Sequence, residues 1–221
     1  MEWLGEVPEH WEIKRLRHIG SLQNGLNISG DAFGSGHPFI SYGDAYKNRY
    51  LPITPSGMVD STVADREKYD IREGDILFTR TSEAIDDIGI ASTALSSIPN
   101  ATFAGFLIRF RPSPGVLNAE FASLLLRNSG IKNHFSGTLN IVTRASLSQS
   151  ELGSLPVAIP PIPEQEAIAS AIKARNLHLI KLMKAAQAAI DLLVERRSAL
   201  ISAAVTGQID VRGLVAEASA A

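Results

Sequence analysis

The sequence predicts a mixed α/β (α+β) globular domain that is followed by one long coiled-coil α-helix. Over residues 1–160, apolar runs typical of strands alternate with turn signals and short helical patterns. After Pro163 a helical pattern continues without Gly or Pro until Gly207. Within that pattern the apolar residues recur in alternating steps of four and three, as in a coiled coil. We therefore divide the chain into the domain 1–160, the helix 161–207 and a C-terminal tail, 208–221.

The domain is expected to contain short strands and two short helices. Its apolar runs are rich in aromatic and β-branched residues and are bounded by turn signals, which favours strands. One helix begins at Asn118, whose side chain can cap it, and another covers 146–152. The segments 23–37 and 43–70 are polar and Gly-rich, so we expect long irregular loops there. The expected strands are residues 11–19, 38–42, 75–81, 88–94, 102–111 and 155–159.

The long helix has clear start and stop signals. Pro163 suits the first helical turn, because the N–H that proline lacks has no partner there. Glu164 and Glu166 lie at the positive end of the helix dipole, and Gly207 suits a left-handed C-cap. Between these signals lie about 42 residues, or roughly 60 Å of helix. A helix of this length needs a packing partner along its course.

The apolar spacing of the helix predicts a pairing surface, which we call the seam. Arg175 and Arg196 interrupt it, and a shifted seam through Met183 and Ile190 would share three of its leucines. In an antiparallel pair the small residues 185–189 would lie at the two-fold axis, where two backbones can approach closely. The alternative is a helix that folds back on its own domain. The predicted dimer interface consists of Ile168, Ile172, Leu179, Leu182, Ala186, Ala189, Leu193 and Leu200.

The composition is that of an ordinary globular protein, with 45% apolar and 20% charged residues. The absence of cysteine excludes disulfides and thiolate metal sites and is compatible with a cytoplasmic location. We find no signal peptide and no apolar run of membrane-spanning length, so no membrane association is expected. Residues 1–163 hold 14 basic and 17 acidic residues, whereas 164–206 hold 6 and 4. DNA binding by the first part would therefore need a local basic face.

No pattern indicates catalysis or metal binding by this chain. The five histidines lack ligand spacing, and Gly34-Ser35-Gly36 lacks the third glycine of a dinucleotide-binding loop. An amino-methyltransferase would need an Asn/Asp-Pro-Pro-aromatic motif, but the one Pro-Pro pair has isoleucine on both sides. The nuclease pattern Glu-x-Lys occurs only at Glu12-Ile13-Lys14, without an upstream Asp. We therefore expect no catalytic residue, no metal site and no cofactor in this chain.

Four segments resemble the specificity (S) subunit of type I restriction-modification systems. The junction before the long helix and the closing segment are the most specific of the four, and the resemblance covers nearly the whole chain. A full specificity subunit carries two target-recognition domains and two long helices, whereas this chain has one of each. The segments are WLGEVPEHW at 3–11, GDILFTRTS at 74–82 with IGIA at 88–91, LPVAIPPIPEQE at 155–166 and RSALISAAVTGQID at 197–210.

The resemblance implies a non-catalytic subunit that recognises one half of a split target in double-stranded DNA. The chain would be either a half-size subunit that forms a homodimer or the C-terminal half of a longer protein. Two antiparallel helices would fix the distance between the two target halves and dock methyltransferase (M) subunits. A restriction and motor (R) subunit would join that complex. S-adenosylmethionine, ATP and Mg²⁺ are expected only in these partner subunits.

The DNA contacts are expected in three polar stretches that the resemblance places near the ends of strands. They supply the residue types that recognise base edges and phosphates. Arg80 is the strongest candidate, although it could instead pair with Glu83 or Asp86. The predicted DNA-binding residues are Tyr42, Lys47, Asn48, Arg49, Thr79, Arg80, Thr81, Ser82, Thr138, Asn140, Thr143 and Arg144.

Two other functions compete with DNA recognition. The first is a protein-interaction module that does not bind DNA and assembles through the long helix, which the net charge of −2 favours. The second is an orphan enzyme such as a nuclease, which the missing motifs disfavour.

Overall fold

The computed structural model describes residues 5–82, 87–138 and 145–210, in two compact units, Met1–Ala169 and Ser170–Ala221. The first unit contains several small sheets and short helices, and one long helix begins within it. The predicted fold class is therefore confirmed.

Eleven strands occur among the described residues. Most have two to six residues, and the longest has eight. They are β1 (Glu12–Arg15), β2 (Gly20–Asn24), β3 (Phe33–Ile40), β4 (Gly57–Val59), β5 (Ile76–Thr79), β6 (Thr81–Ser82), β7 (Ala91–Thr93), β8 (Thr102–Phe103), β9 (Leu107–Pro112), β10 (Ala145–Ser146) and β11 (Pro156–Ile159).

Six α-helices complete the described structure, and all but the last are short. No described helix combines the length and apolar character needed to cross a membrane. The helices are α1 (Tyr42–Lys47), α2 (Val63–Lys68), α3 (Ala119–Leu125), α4 (Ser129–Thr138), α5 (Gln149–Ser154) and α6 (Ile162–Val205).

The central sheet is antiparallel, with the strand order β2-β9-β5-β7. All four residues of β5 are buried, because its two faces serve two separate cores. Phe78 packs with Phe110 in one core, and Leu77 packs with Phe103 in the other. This division follows from the alternation of side chains along a strand. A second sheet has the order β4-β3-β8, and β1–β11 and β6–β10 form two-stranded ribbons.

The predicted strand 11–19 is wrong, because the chain changes sheets there. β1 pairs with β11, a single 3-10 turn at Leu16–His18 follows, and β2 then joins the central sheet. Leu16 is buried in that turn, and its N–H donates to the carbonyl of Leu155 at 3.0 Å. Leu16 thus lies at the point where the chain turns from one sheet to the next, although the sequence around it has the pattern of a strand.

The loops predicted at 23–37 and 43–70 are also wrong, because they contain β3, β4, α1 and α2. Both helices begin with a capping box, formed by Ser41 with Asp44 and by Thr62 with Asp65. These Ser/Thr-x-x-Asp signals stabilise single helical turns that contain little apolar sequence. Neither α4 nor the break between β8 and β9 was predicted. The helix capped by Asn118 and the strand before the prolines are confirmed.

The start of α6 is fixed to the globular domain by two adjacent side chains. Gln165 is fully buried; its Oε1 accepts the N–H of Asn118 at 2.8 Å, and its Nε2 donates to the carbonyls of Val116 and Pro160. Glu164 accepts hydrogen bonds from the side chains of His10 and Trp11 at 2.8 and 3.1 Å.

These contacts bring together two segments that are far apart in the sequence. The Glu-His-Trp segment near the N-terminus and the Pro-Glu-Gln segment at the start of α6 are parts of one structural junction. Hydrogen bonds from His10 and then Trp11 lower the pKa of Glu164, although the burial of the carboxylate opposes them.

Candidate DNA interface

The first two predicted stretches meet at Asp87. The hydroxyl of Tyr46, in α1, donates to Oδ1 of Asp87 at 3.0 Å, and that of Tyr42 lies 3.5 Å from its backbone carbonyl. The hydroxyl of Thr79, at the end of β5, donates to the same carbonyl at 2.7 Å. The hydrogen bond to Asp87 raises the pKa of Tyr46, because the nearby carboxylate disfavours a phenolate. Asp87 therefore joins α1 to the C-terminal end of β5.

The third stretch adjoins the second through the β6–β10 ribbon. Thr81 pairs with Ser146, and the carbonyl of Arg80 accepts the N–H of Leu147 at 2.7 Å. The first two predicted stretches therefore meet at one end of β5, and the chain that directly follows the third stretch, at Ala145–Ser146, lies beside them. Ser82 and Thr138 are described by their backbone only. Asn140, Thr143 and Arg144 lie outside the described residues, as do Glu83 and Asp86.

Arg80 is the best-placed cation at this end of β5. Its backbone N–H donates to the carbonyl of Phe106 at 3.0 Å, which fixes its position. The side chain is half-buried, and its Nε is buried without a hydrogen-bond partner among the described residues. Such an orphan donor costs free energy, so its retention calls for an explanation. This geometry suits a guanidinium that binds a negatively charged ligand.

Several other predicted residues have structural contacts instead. Thr79 is fully buried, and its hydroxyl also accepts the N–H of Ile90, so this geometry leaves it no surface for DNA. Arg49 donates to the hydroxyl of Ser123 through Nε and Nη2 at 3.1 and 2.9 Å, and lies over the Tyr50 ring.

Around α1, two predicted residues make contacts within the protein, and a third is exposed to solvent. Tyr42 stacks on Tyr46 with 6.0 Å between ring centroids. Asn48 donates to the carbonyl of Asp44 at 2.9 Å, which closes the C-terminal end of the helix. Lys47 is exposed, so its ammonium remains available to a phosphate.

Arg127 is a residue of this region that the sequence did not reveal. Its guanidinium donates to the carbonyls of Asn48, Ala91 and Tyr46 at 2.6, 2.9 and 3.3 Å. Burial, and then the nearby charge of Arg49, lower its pKa. It ties the end of α1 to β7. A single arginine after a helix carries no signal in the sequence that would identify this role.

The opposite end of β5 carries an internal ion network. Arg111 donates two hydrogen bonds to the buried carboxylate of Asp75, both at 2.7 Å. Arg109 contacts Asp70 at 2.9 Å and also hydrogen bonds to Gln23. The hydrogen bonds with Asp75 raise the pKa of Arg111, whereas burial lowers that of Arg109. These cations are paired within the protein and serve its stability.

The described residues contain no group of three or more His, Cys, Asp or Glu side chains arranged to hold a metal ion. The pair Glu12 and Lys14, which met part of a nuclease pattern, lies on the exposed strand β1 and forms a surface ion pair.

The second unit exposes a broad apolar surface on α6. Of the predicted seam, Leu179, Leu182, Leu193 and Leu200 are each about half-exposed. A neighbouring line of α6 is equally apolar. It contains Met183 and Ile190 of the shifted seam together with Val194 and Ile201, and all four are exposed. The two lines adjoin on the helix, so the apolar face is wider than the a/d stripe of a two-helix coiled coil.

Comparison with known proteins points to one family. The family model for the type I restriction modification DNA specificity domain matches residues 8–192. A protein of Methanocaldococcus jannaschii, named as the MjaX specificity subunit of a type I restriction enzyme, is 30% identical over 172 residues. That alignment covers 75% of this chain and 39% of the relative.

Solved structures show the same fold. A chain from a study of complex assembly and conformational transition in the type I R-M system has a TM-score of 0.63 at 19% identity, covering 87% of this chain and 44% of that one. The HsdS subunit of Thermoanaerobacter tengcongensis has a TM-score of 0.59 at 17% identity, covering 82% and 41%.

This chain thus spans less than half the length of the relatives it matches. The family match extends over the globular domain and most of α6, so the resemblance seen in the sequence is confirmed. The chain belongs to the type I restriction-modification DNA specificity domain family.

Proposed function

We propose that this chain is a DNA sequence-recognition subunit of a type I restriction-modification complex and recognises one half of a bipartite target. The observation that supports this most directly is the family match over residues 8–192. The geometry agrees, because two stretches with base-reading residue types, in α1 and at residues 79–81, meet at one end of β5. Within this proposal Arg80 and Lys47 contact DNA, whereas Thr79, Arg49 and Tyr42 hold the interface in shape.

The long helix is the assembly element in this proposal. Its seam pairs antiparallel with a second long helix, from another copy of the chain or from the other half of a longer protein. The adjoining line of apolar residues remains for methyltransferase subunits. The small side chains at 185–189 allow the helices to approach closely.

The chemistry is proposed to reside entirely in partner subunits. Methyltransferase subunits would bind S-adenosylmethionine, and a restriction and motor subunit would use ATP and Mg²⁺. Partners that act on chromosomal DNA imply a cytoplasmic location, which the lack of cysteine favours.

Methylome sequencing of cells that carry this chain with its methyltransferase tests the proposal. We expect one split motif to be methylated, and its methylation to disappear when this chain is deleted. Methylation that persists without the chain would refute a specificity role.

The competing protein-interaction module makes the opposite prediction for DNA affinity. Binding to duplexes with and without the methylated motif should be titrated at several salt concentrations, in the presence of methyltransferase. Sequence-specific affinity that weakens with salt supports recognition of DNA. No affinity for either duplex would favour the protein-interaction module.

A further inference from the structure

Phe106 is an exposed aromatic residue held in a rigid turn. The turn joins β8 to β9 and is closed by the N–H of Leu107, which donates to the carbonyl of Ala104 at 2.9 Å. The carbonyl of Phe106 itself accepts the N–H of Arg80 at 3.0 Å. The side chain is nevertheless 61% exposed. Exposing this much apolar surface is unfavourable in water, so the ring is poorly explained by stability.

The residues that contact this turn are of types suited to base recognition. The backbone N–H of Arg80 hydrogen bonds to the same turn, and its Nε has no partner in the part of the chain that the structure describes. The exposed side chain of Asn27 packs on Gly105, where a Cβ atom would lie only 1.9 Å from its Oδ1. In the major groove, Asn pairs with the N6 and N7 atoms of adenine, and an apolar group contacts the C5-methyl of thymine. This turn therefore carries an apolar ring and contacts an Asn, and these two residue types match the two bases of one A·T pair.

We infer that Phe106 is a specificity-determining residue that contacts the C5-methyl group of a thymine in the target half-site. This inference rests on the proposed function and adds one base preference to it. The turn suits the role because its hydrogen bonds fix the backbone that carries the ring, so binding has to order only the side chain.

Removal of the thymine methyl group tests the inference directly. Once the target motif is known, each thymine in a half-site is replaced in turn by deoxyuridine, which lacks only that methyl. We expect one position at which the substitution weakens binding of the complex with methyltransferase by about fourfold, the value of one buried methyl group. The Phe106→Ala complex should bind the thymine duplex more weakly and should no longer distinguish thymine from uracil at that position.

Val63→Ala is the matched control. Val63 is 62% exposed, and it begins α2, which leads to Asp70 in the ion network at the other end of β5. This variant should keep the thymine preference of the wild type. Thermal unfolding of both variants should match the wild type, because neither side chain is buried. Phe106→Leu, which keeps an apolar group, should retain part of the preference.

The outcomes separate this inference from the proposed function. If the wild-type complex binds its motif no better than random duplex, the proposed function fails. If it binds its motif specifically but ignores every uracil substitution, only the role of Phe106 is refuted. A half-site without thymine, or an equal loss of affinity by Phe106→Ala for thymine and uracil duplexes, would also refute it.

Discussion

Gln165 lies in the first turn of α6, and its side chain has no exposed surface. It hydrogen bonds to three backbone groups outside the helix. Replacement by Leu keeps a similar volume but leaves one N–H and two carbonyls without partners. We expect Gln165→Leu to lower the free energy of unfolding by about 2–4 kcal/mol, measured by urea denaturation. Gln187→Leu is the matched control, because Gln187 is exposed on the same helix and bonds only to Asp191. Equal stability of the two variants would contradict this account of the junction.

Glu164 makes the same junction sensitive to acid. Its pKa is lowered in the folded protein, mainly by the hydrogen bond from His10, so the folded state favours the carboxylate. A lowered pKa adds stability above the pKa of the unfolded state, and that stability is lost as pH falls through the folded value. We expect Glu164→Gln to destabilise the protein at pH 7, and the difference from wild type to shrink below about pH 4. Denaturation curves at several pH values measure this, and a difference independent of pH would contradict it.

Substitution of Arg80 is expected to affect DNA binding and not the stability of the fold. Because its buried Nε has no hydrogen-bond partner among the described residues, Arg80→Ala should not lower the melting temperature. Specific DNA binding by the complex should weaken by about 1–3 kcal/mol, or roughly 5- to 150-fold. Arg15→Ala removes the same charge from an exposed residue of β1 and serves as the control. Comparable affinity losses for the two variants would show that only net charge matters.

At the scale of elements, α6 carries an exposed apolar surface that requires a partner. The triple variant Leu179→Lys, Leu193→Lys and Leu200→Lys places three charges in the seam, where a partner helix would have to bury them. We expect it to abolish self-association in light scattering while the globular domain stays folded.

A matched triple variant separates this effect from that of added charge. Ala174→Lys, Leu177→Lys and Ala188→Lys add the same charge on the face opposite the seam, on residues that are exposed. This variant should associate as the wild type does. If the seam variant self-associates as the wild type does, the proposal that paired helices fix the distance between the two target halves must be abandoned.

The elements that the sequence revealed are those with strong local signals. The prolines and Gly207 bracketed α6 to within a few residues, and Asn118 marked α3 as its cap. The failures occurred where tertiary contacts decide the structure. The chain turns at Leu16, where the N–H donates to the carbonyl of Leu155, about 140 residues away. No local sequence pattern indicates that partner.

The candidate interface was predictable in part for the same reason. Residue chemistry selected Arg80, which has an orphan donor in the structure. The same chemistry also selected Thr79 and Arg49, whose polar groups bond within the protein. The exposure of Phe106 was not predicted, because a sequence does not show that one residue of an apolar run lies in an exposed turn.

At the scale of the whole molecule, the homodimer version of the proposed function predicts a symmetric target. If two copies pair through the seam, a two-fold axis relates the two domains, and the two target halves must be inverted repeats. We expect a dimer by light scattering at micromolar concentration and a palindromic split motif in the methylome. A monomer whose motif has two unrelated halves would instead indicate that another domain supplies the second half.

The ion network of Asp70, Asp75, Arg109 and Arg111 and the candidate interface occupy opposite ends of β5. Burial and pairing hold the first end together. At the second end, Nε of Arg80 has no hydrogen-bond partner among the described residues, and the ring of Phe106 is exposed. Substitutions of Arg80 and Phe106 should therefore cost little folding free energy. We expect such a domain to acquire new target sequences readily during evolution, because the residues that would have to change are not those on which its stability depends.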